Sequence, residues 1–242
     1  MIESLEKLAN PVKGTPYPSV VARERRADGF IHIIGLGSAL IACAILMTST
    51  AMQAGIAMII ACAIYCLGVV MSFVSSAGYH LLPWHSWRDT LRRFDHAAIY
   101  ALIAGTFTPL LVHTGTTLAY SILAAVWLLA IPAILYKLFA DDIEPSWSLA
   151  SYLGLGWIAI FAIPDFGERL SMVAILTIVL GGLIYTAGTY FYAKKVQAYR
   201  YAIWHGFVLA GTSLFFVAVW MTVFYGDGTT QLIAANPVPN LL

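Results

Sequence analysis

Residues 29–50, 54–82, 95–113, 117–139, 147–164, 171–193 and 202–225 form seven stretches dominated by apolar side chains. A hydrocarbon core about 30 Å thick is crossed by a helix of roughly 20 residues, and each stretch is of that order. The lengths predict an all-α fold, an integral membrane seven-transmembrane helix bundle over 29–225. Connections are short, so no separate soluble domain is expected. Residues 1–28 read as an N-terminal segment, and 226–242, ending Asn236-Pro-Val-Pro-Asn240, as a short tail without fixed structure.

Composition agrees and narrows the function classes. With 60% hydrophobic residues, 10% charged and a mean hydropathy of +0.82, the chain is far from the quarter-charged make-up of a soluble domain. A net charge of +1 without a long basic run argues against nucleic acid as a partner. Cys43, Cys62 and Cys66 all fall inside apolar stretches. Although Cys62 and Cys66 are one helical turn apart, buried free thiols acting as small hydrophobes are the expectation. The first 28 residues are charged and carry prolines at 11, 16 and 18, which argues against a cleaved signal peptide.

Lys and Arg set the expected orientation. With a cytoplasmic N-terminus, twelve fall inside, in clusters such as Arg23, Arg25 and Arg26 or Arg88, Arg92 and Arg93, and one, Arg169, falls outside. Such asymmetry predicts a multi-pass protein of the cell membrane, N-terminus in and C-terminus out. Small residues mark candidate helix contacts, because close backbone approach must supply packing that lipid does not drive. The candidates are Gly35, Gly37, Gly154, Gly156, Gly181, Gly182 and Gly188.

Several polar residues sit where hydrocarbon should reject them. Glu24, Asp28 and His32 recur every four residues into the first span, as do Ser72, Ser76 and His80 along the second. Asp95 and His96 open the third span, and Tyr201 and His205 the seventh. On the expected topology all lie toward the cytoplasmic face. Glu24 and Asp28, among arginines, are expected to be solvated or ion-paired charges. His85, in a Trp-rich loop, and His113, at the far end of span three, need only interfacial anchoring. One intramembrane histidine is as well read as an interhelical hydrogen bond as a ligand. Several sharing depth with Asp95 point instead to a metal.

Zinc suits such a layer, since neutral imidazoles bind it and a catalytic ion keeps a position for water whose pKa falls toward about 7. Asp95 could take a proton from that water, and Ser76 could orient the water or a substrate carbonyl. Enclosed by helices at membrane depth, the layer would meet acyl chains, so the expected partner is a membrane lipid and the expected reaction is hydrolysis of a lipid amide or ester.

At these residues the chain resembles the bacterial hemolysin III family, which is grouped with the progestin and adiponectin receptors. The matching stretches are Arg23-Glu-Arg-Arg-Ala-Asp-Gly-Phe-Ile-His32, Ser76-Ala-Gly-Tyr-His80, Phe94-Asp-His-Ala-Ala-Ile-Tyr running to Pro109, and Ala202-Ile-Trp-His-Gly-Phe running to Gly211. The resemblance implies seven helices and a zinc ion near the inner leaflet, held by one histidine of span two and two opening span seven. Carried over, His80 and His205 are metal ligands, while Asp95 and Ser76 are catalytic or lie just behind the ligands. It also implies ceramidase-like hydrolysis, an activity associated with the receptor branch.

The chain departs from that pattern at Tyr201, where the first span-seven histidine is expected, and at Phe215, where many relatives carry another. Tyr201 as phenolate, Asp95, His32 or His96 could complete the zinc shell, with Asp95 favoured because a carboxylate offsets the ion's charge. The expected metal set is therefore His80, His205 and Asp95. The leading function is a zinc-dependent intramembrane lipid hydrolase. A membrane sensor or receptor with a structural zinc is the alternative, and a cytolysin or pore finds little support, since no span carries a regular charged stripe.

Overall fold

Backbone amides inside hydrocarbon must pair within their own segment, so long apolar stretches resolve as helices. The computed structural model describes residues 17–19, 21–83, 86–195 and 197–226. Its helices are α1 (Ala22–Gln53), α2 (Ile56–Leu81), α3 (Arg88–Thr114), α4 (Thr117–Phe139), α5 (Ser148–Trp157), α6 (Ile163–Arg169), α7 (Met172–Ala193) and α8 (Arg200–Tyr225). A 3-10 turn, Ile158–Ala162, joins α5 to α6 into one segment, giving seven of membrane-spanning length among the described residues. His85 and the tail beyond Gly226 lie outside the described residues.

The first, third and seventh spans begin before their apolar stretches. Helix α1 starts at Ala22 and carries Asp28 into the bundle, where it is 2% exposed. That corrects the expectation of a solvated or ordinary ion-paired charge: the stripe Glu24, Asp28, His32 continues the helix, and its inner members face the protein. The fifth span, in contrast, is not one continuous α-helix. Pro164 has no N–H to return to Ile160, and the chain tightens so that Ile163 N–H bonds the Ile160 carbonyl instead.

Helix α3 occupies the centre. Its most apolar stretch is 72% buried, against 17–44% for the other spans. Its polar residues Thr106, Thr108 and Thr114 are buried among the neighbouring helices. Its closest neighbour is α2, where a Cβ on Gly68 would stand 2.7 Å from the Ala101 carbonyl oxygen and one on Gly105 3.2 Å from that of Ile64. Of the glycines expected at contacts, Gly35, Gly181 and Gly188 face the Phe73, Phe215 and Phe207 rings, whereas Gly37, Gly154 and Gly156 meet nothing within 4 Å. Small residues permit close approach but do not choose which helices approach.

Turns between spans are locally encoded. Gly115 ends α3 with φ 69°, its N–H on the Leu111 carbonyl. Thr116 and Ser171 cap α4 and α7 by accepting from Ala119 N and Ala174 N at 3.0 and 3.2 Å. Cys43, Cys62 and Cys66 are free and buried, as expected. The starts of α1, α3, α5 and α8 and the ends of α2, α4 and α7 share one end of the bundle, tied by contacts such as Arg93 to the Ala140 carbonyl at 2.6 Å and Tyr192 to Glu144 at 3.1 Å.

Candidate metal centre

At that end α1, α2 and α8 bring three imidazoles together. Ring centroids of His32 and His205 are 4.3 Å apart, those of His80 and His205 4.5 Å, and those of His32 and His80 5.3 Å. All three are buried, with exposures of 3%, 4% and 8% for His32, His80 and His205. Asp28 ties them together. Its Oδ2 lies 2.9 Å from His80 Nδ1, its Oδ1 2.6 Å from His205 Nδ1, and its backbone carbonyl 2.9 Å from His32 Nδ1.

The opposite ring nitrogens face Ser76 and Asp95. Ser76 Oγ stands 3.1 Å from His32 Nε2 and 3.3 Å from His205 Nε2. Asp95 Oδ2 is 3.8 Å from His80 Nε2. The residues expected from sequence, His80, His205, Asp95 and Ser76, are therefore gathered in one place, together with His32. Asp28 was missed as a member of the site, although its spacing from His32 was visible. Charge near the end of an apolar stretch is ambiguous until the helix is seen to continue through it.

Two other candidates are placed differently. His96 turns away, its Nε2 3.3 Å from Glu144 Oε1. Tyr201 packs edge-on against His80, centroids 5.0 Å apart, beneath the Arg200 guanidinium at 5.2 Å. His113 lies in the last turn of α3, at the other end of that helix.

Oxygen and imidazole donors in this arrangement fit a divalent ion. Ligand atoms of Asp28, His32 and His205 lie within 4.8 Å of one another, a group that leaves His80 outside and counts Asp28 in. The donors suit zinc or another imidazole-loving metal rather than magnesium or calcium, which prefer all-oxygen shells.

The cluster stands at the polar end of a cavity of about 830 Å³. Leu102, Phe107, Leu110, Ile178 and Phe215 line its apolar length. Ile160, Ile163 and Val179 line it as well and are exposed, so it reaches the lipid-facing surface between the fifth span and α7. Arg92, Glu144 and Tyr192 line it near the end where the spans' charged residues gather, with Arg92 paired to Glu144. Outside the spans, partial burial would raise the Glu144 carboxyl. The charges of His96 and Arg92, with hydrogen bonds from Arg92 and Tyr192, outweigh that and hold it below its usual value.

Seven apolar helices around a buried imidazole and carboxylate cluster define a multi-pass membrane protein with a candidate metal centre. The chain belongs to the Haemolysin-III related family, whose profile matches residues 22–216. It is 33% identical over 198 residues to a hemolysin-3 homolog of Bacillus subtilis, covering 81% of this chain and 93% of that protein. Hemolysin-3 of Bacillus cereus is 30% identical over 198 residues, covering 81% and 90%. A rice heptahelical transmembrane protein named ADIPOR2 is 26% identical over 182 residues, covering 64% and 79%. That last likeness ties the family to the adiponectin receptors, as the sequence motifs imply.

Proposed function

We propose that this protein is a zinc-dependent hydrolase of a lipid amide or ester, working at the cytoplasmic side of the cell membrane. The observation that carries it is the placement of His32, His80, His205, Asp95 and Ser76 at one end of an apolar cavity that reaches the lipid-facing surface. The described basic residues from Arg23 to Arg26, Arg88 to Arg93, Lys137, Lys194, Lys195 and Arg200 lie at that same end, and positive residues favour the cytoplasm.

The residues have separable tasks. The apolar walls take the acyl chain and keep bulk water from it. A zinc ion held by the imidazoles would polarise the scissile carbonyl and lower the pKa of a water toward about 7. Asp95, beside His80 Nε2, takes the proton of the attacking water as its oxygen bonds to the carbonyl carbon, and returns it to the departing amine or alcohol as the C–N or C–O bond breaks. Ser76, between His32 and His205, orients the water or the carbonyl oxygen.

The test is turnover of ceramide and phospholipid by purified protein in detergent or liposomes, with and without chelator. Release of fatty acid that stops on chelation and returns with zinc supports the hydrolase. Zinc-replete protein without turnover sinks it. A structural zinc in a sensor is the second reading, favoured by one observation: the imidazoles join α1, α2 and α8, so an ion there would hold three spans together. Loss of thermal stability on chelation with no turnover marks that outcome.

A further inference from the structure

The geometry points to α1 as the source of the third metal arm: His32 Nε2 completes a three-imidazole set with His80 and His205, and Asp28 acts behind them as the group that positions all three rings. The inference rests on the metal-centre reading and adds to it which residues bind and which merely orient.

Proton placement decides the roles. A backbone carbonyl and an ionised carboxylate only accept hydrogen bonds. Asp28 offers both, and each of the three Nδ1 atoms lies 2.6–2.9 Å from one of its oxygens. Each of the three Nδ1 atoms therefore carries a proton, and in the neutral imidazole the Nε2 opposite presents a lone pair. Neutral imidazole held at one nitrogen by a carboxylate or carbonyl and open at the other is the arrangement that metal-binding histidines use.

The space facing those lone pairs holds too few donors. Ser76 has one hydroxyl hydrogen for two nitrogens, at 3.1 and 3.3 Å. His80 Nε2 faces an oxygen of Asp95, itself an acceptor when ionised. Charge points the same way. Asp28 is 2% exposed, and its ion-pair partners among the described residues are His32, His80 and His205, with no Lys or Arg among them. A divalent cation would offset the carboxylates of Asp28 and Asp95 and give the Nε2 lone pairs a partner.

Tyr201 is not required by this arrangement. Its ring packs against the edge of His80 and under Arg200, a packing role that phenylalanine shares in part.

Zinc binding to the purified full-length chain, read by metal content and by competition with a chelating dye, tests the assignment. Wild type is expected to hold about one zinc per chain, His32→Ala to lose it or bind 10–100-fold more weakly, and Tyr201→Phe to match wild type. Wild-type affinity in His32→Ala, or equal weakening in Tyr201→Phe, overturns it. Should His32→Ala fail to fold, zinc-edge X-ray absorption on the wild type decides by itself, three imidazoles supporting the assignment and two overturning it. Failure separates from that of the hydrolase. Zinc held through His32 without lipid turnover ends only the enzyme reading, turnover with zinc retained in His32→Ala ends only this one, and a chain that takes up no zinc ends both.

Discussion

Asp28 and His205 are 177 residues apart in the chain, yet Asp28 Oδ1 lies 2.6 Å from His205 Nδ1. The same carboxylate reaches His80, so one side chain of the first span sets the orientation of rings on the second and the last.

Replacing Asp28 by Asn puts an amide nitrogen, a donor, opposite one of two ring N–H groups. One imidazole must turn, and zinc affinity is expected to fall about 10–100-fold, as loss of a ligand-orienting partner does elsewhere. Dye competition at neutral pH measures it; unchanged affinity refutes the positioning role of Asp28.

Under the proposed function, removal of zinc should loosen the bundle as a whole, because the imidazoles sit on three different helices. A ligand present at a thousand times its dissociation constant stabilises by about 4 kcal/mol. Thermal unfolding in detergent should therefore move down on chelation and recover with zinc. Coincident melting curves would exclude a metal bound to the folded state.

Asp95 and Ser76 should separate chemistry from binding. Asp95→Asn is expected to cut turnover by about 10²–10⁴ with zinc retained, as loss of a general base does. Ser76→Ala should lower turnover with zinc also retained. If Asp95→Asn loses its zinc, Asp95 is a ligand and the proton must go elsewhere.

Two glycines should respond oppositely to alanine. Gly68 abuts the Ala101 carbonyl, and its Cβ would need α2 and α3 to part, at a cost of about 1–3 kcal/mol. Gly37 meets nothing within 4 Å, so Gly37→Ala should be neutral or stabilise by up to about 1 kcal/mol through helix propensity. Melting temperatures of the two variants in one detergent settle the contrast.

Glu144 carries the acid sensitivity of the cavity's charged end. Its folded pKa lies below its unfolded value, so its contribution is full above about pH 4.3 and is lost as pH falls through the depressed folded value. Wild type should lose melting temperature over that acid range, and Glu144→Gln should start lower at neutral pH and change less. Parallel decline of the two proteins would remove Glu144 from the account.

The membrane spans were legible because hydrophobic length is a local property, countable along the chain. The break in the fifth span was less so: Pro164 is plain in the sequence, but the apolar pattern runs on through it. His80, Asp95 and His205 were legible too, since each sits at the end of an apolar stretch at a depth the charge count assigns. Tyr201 drew attention as a departure from a motif, and its packing against His80 and Arg200 appeared only with the fold.

By itself, then, the sequence determined that this chain crosses a membrane seven times, which residues share a level, and to which family its motifs point. Only the tertiary structure decided that Asp28 is buried rather than solvated, that His32 joins the imidazoles while His96 pairs with Glu144, and that Gly68 and Gly105 bring the backbones of α2 and α3 together. Helical periodicity tells how deep a side chain lies and its angle about its own helix. Which neighbour fills that direction depends on how all seven helices rotate and pack together, and no single stretch of chain encodes that.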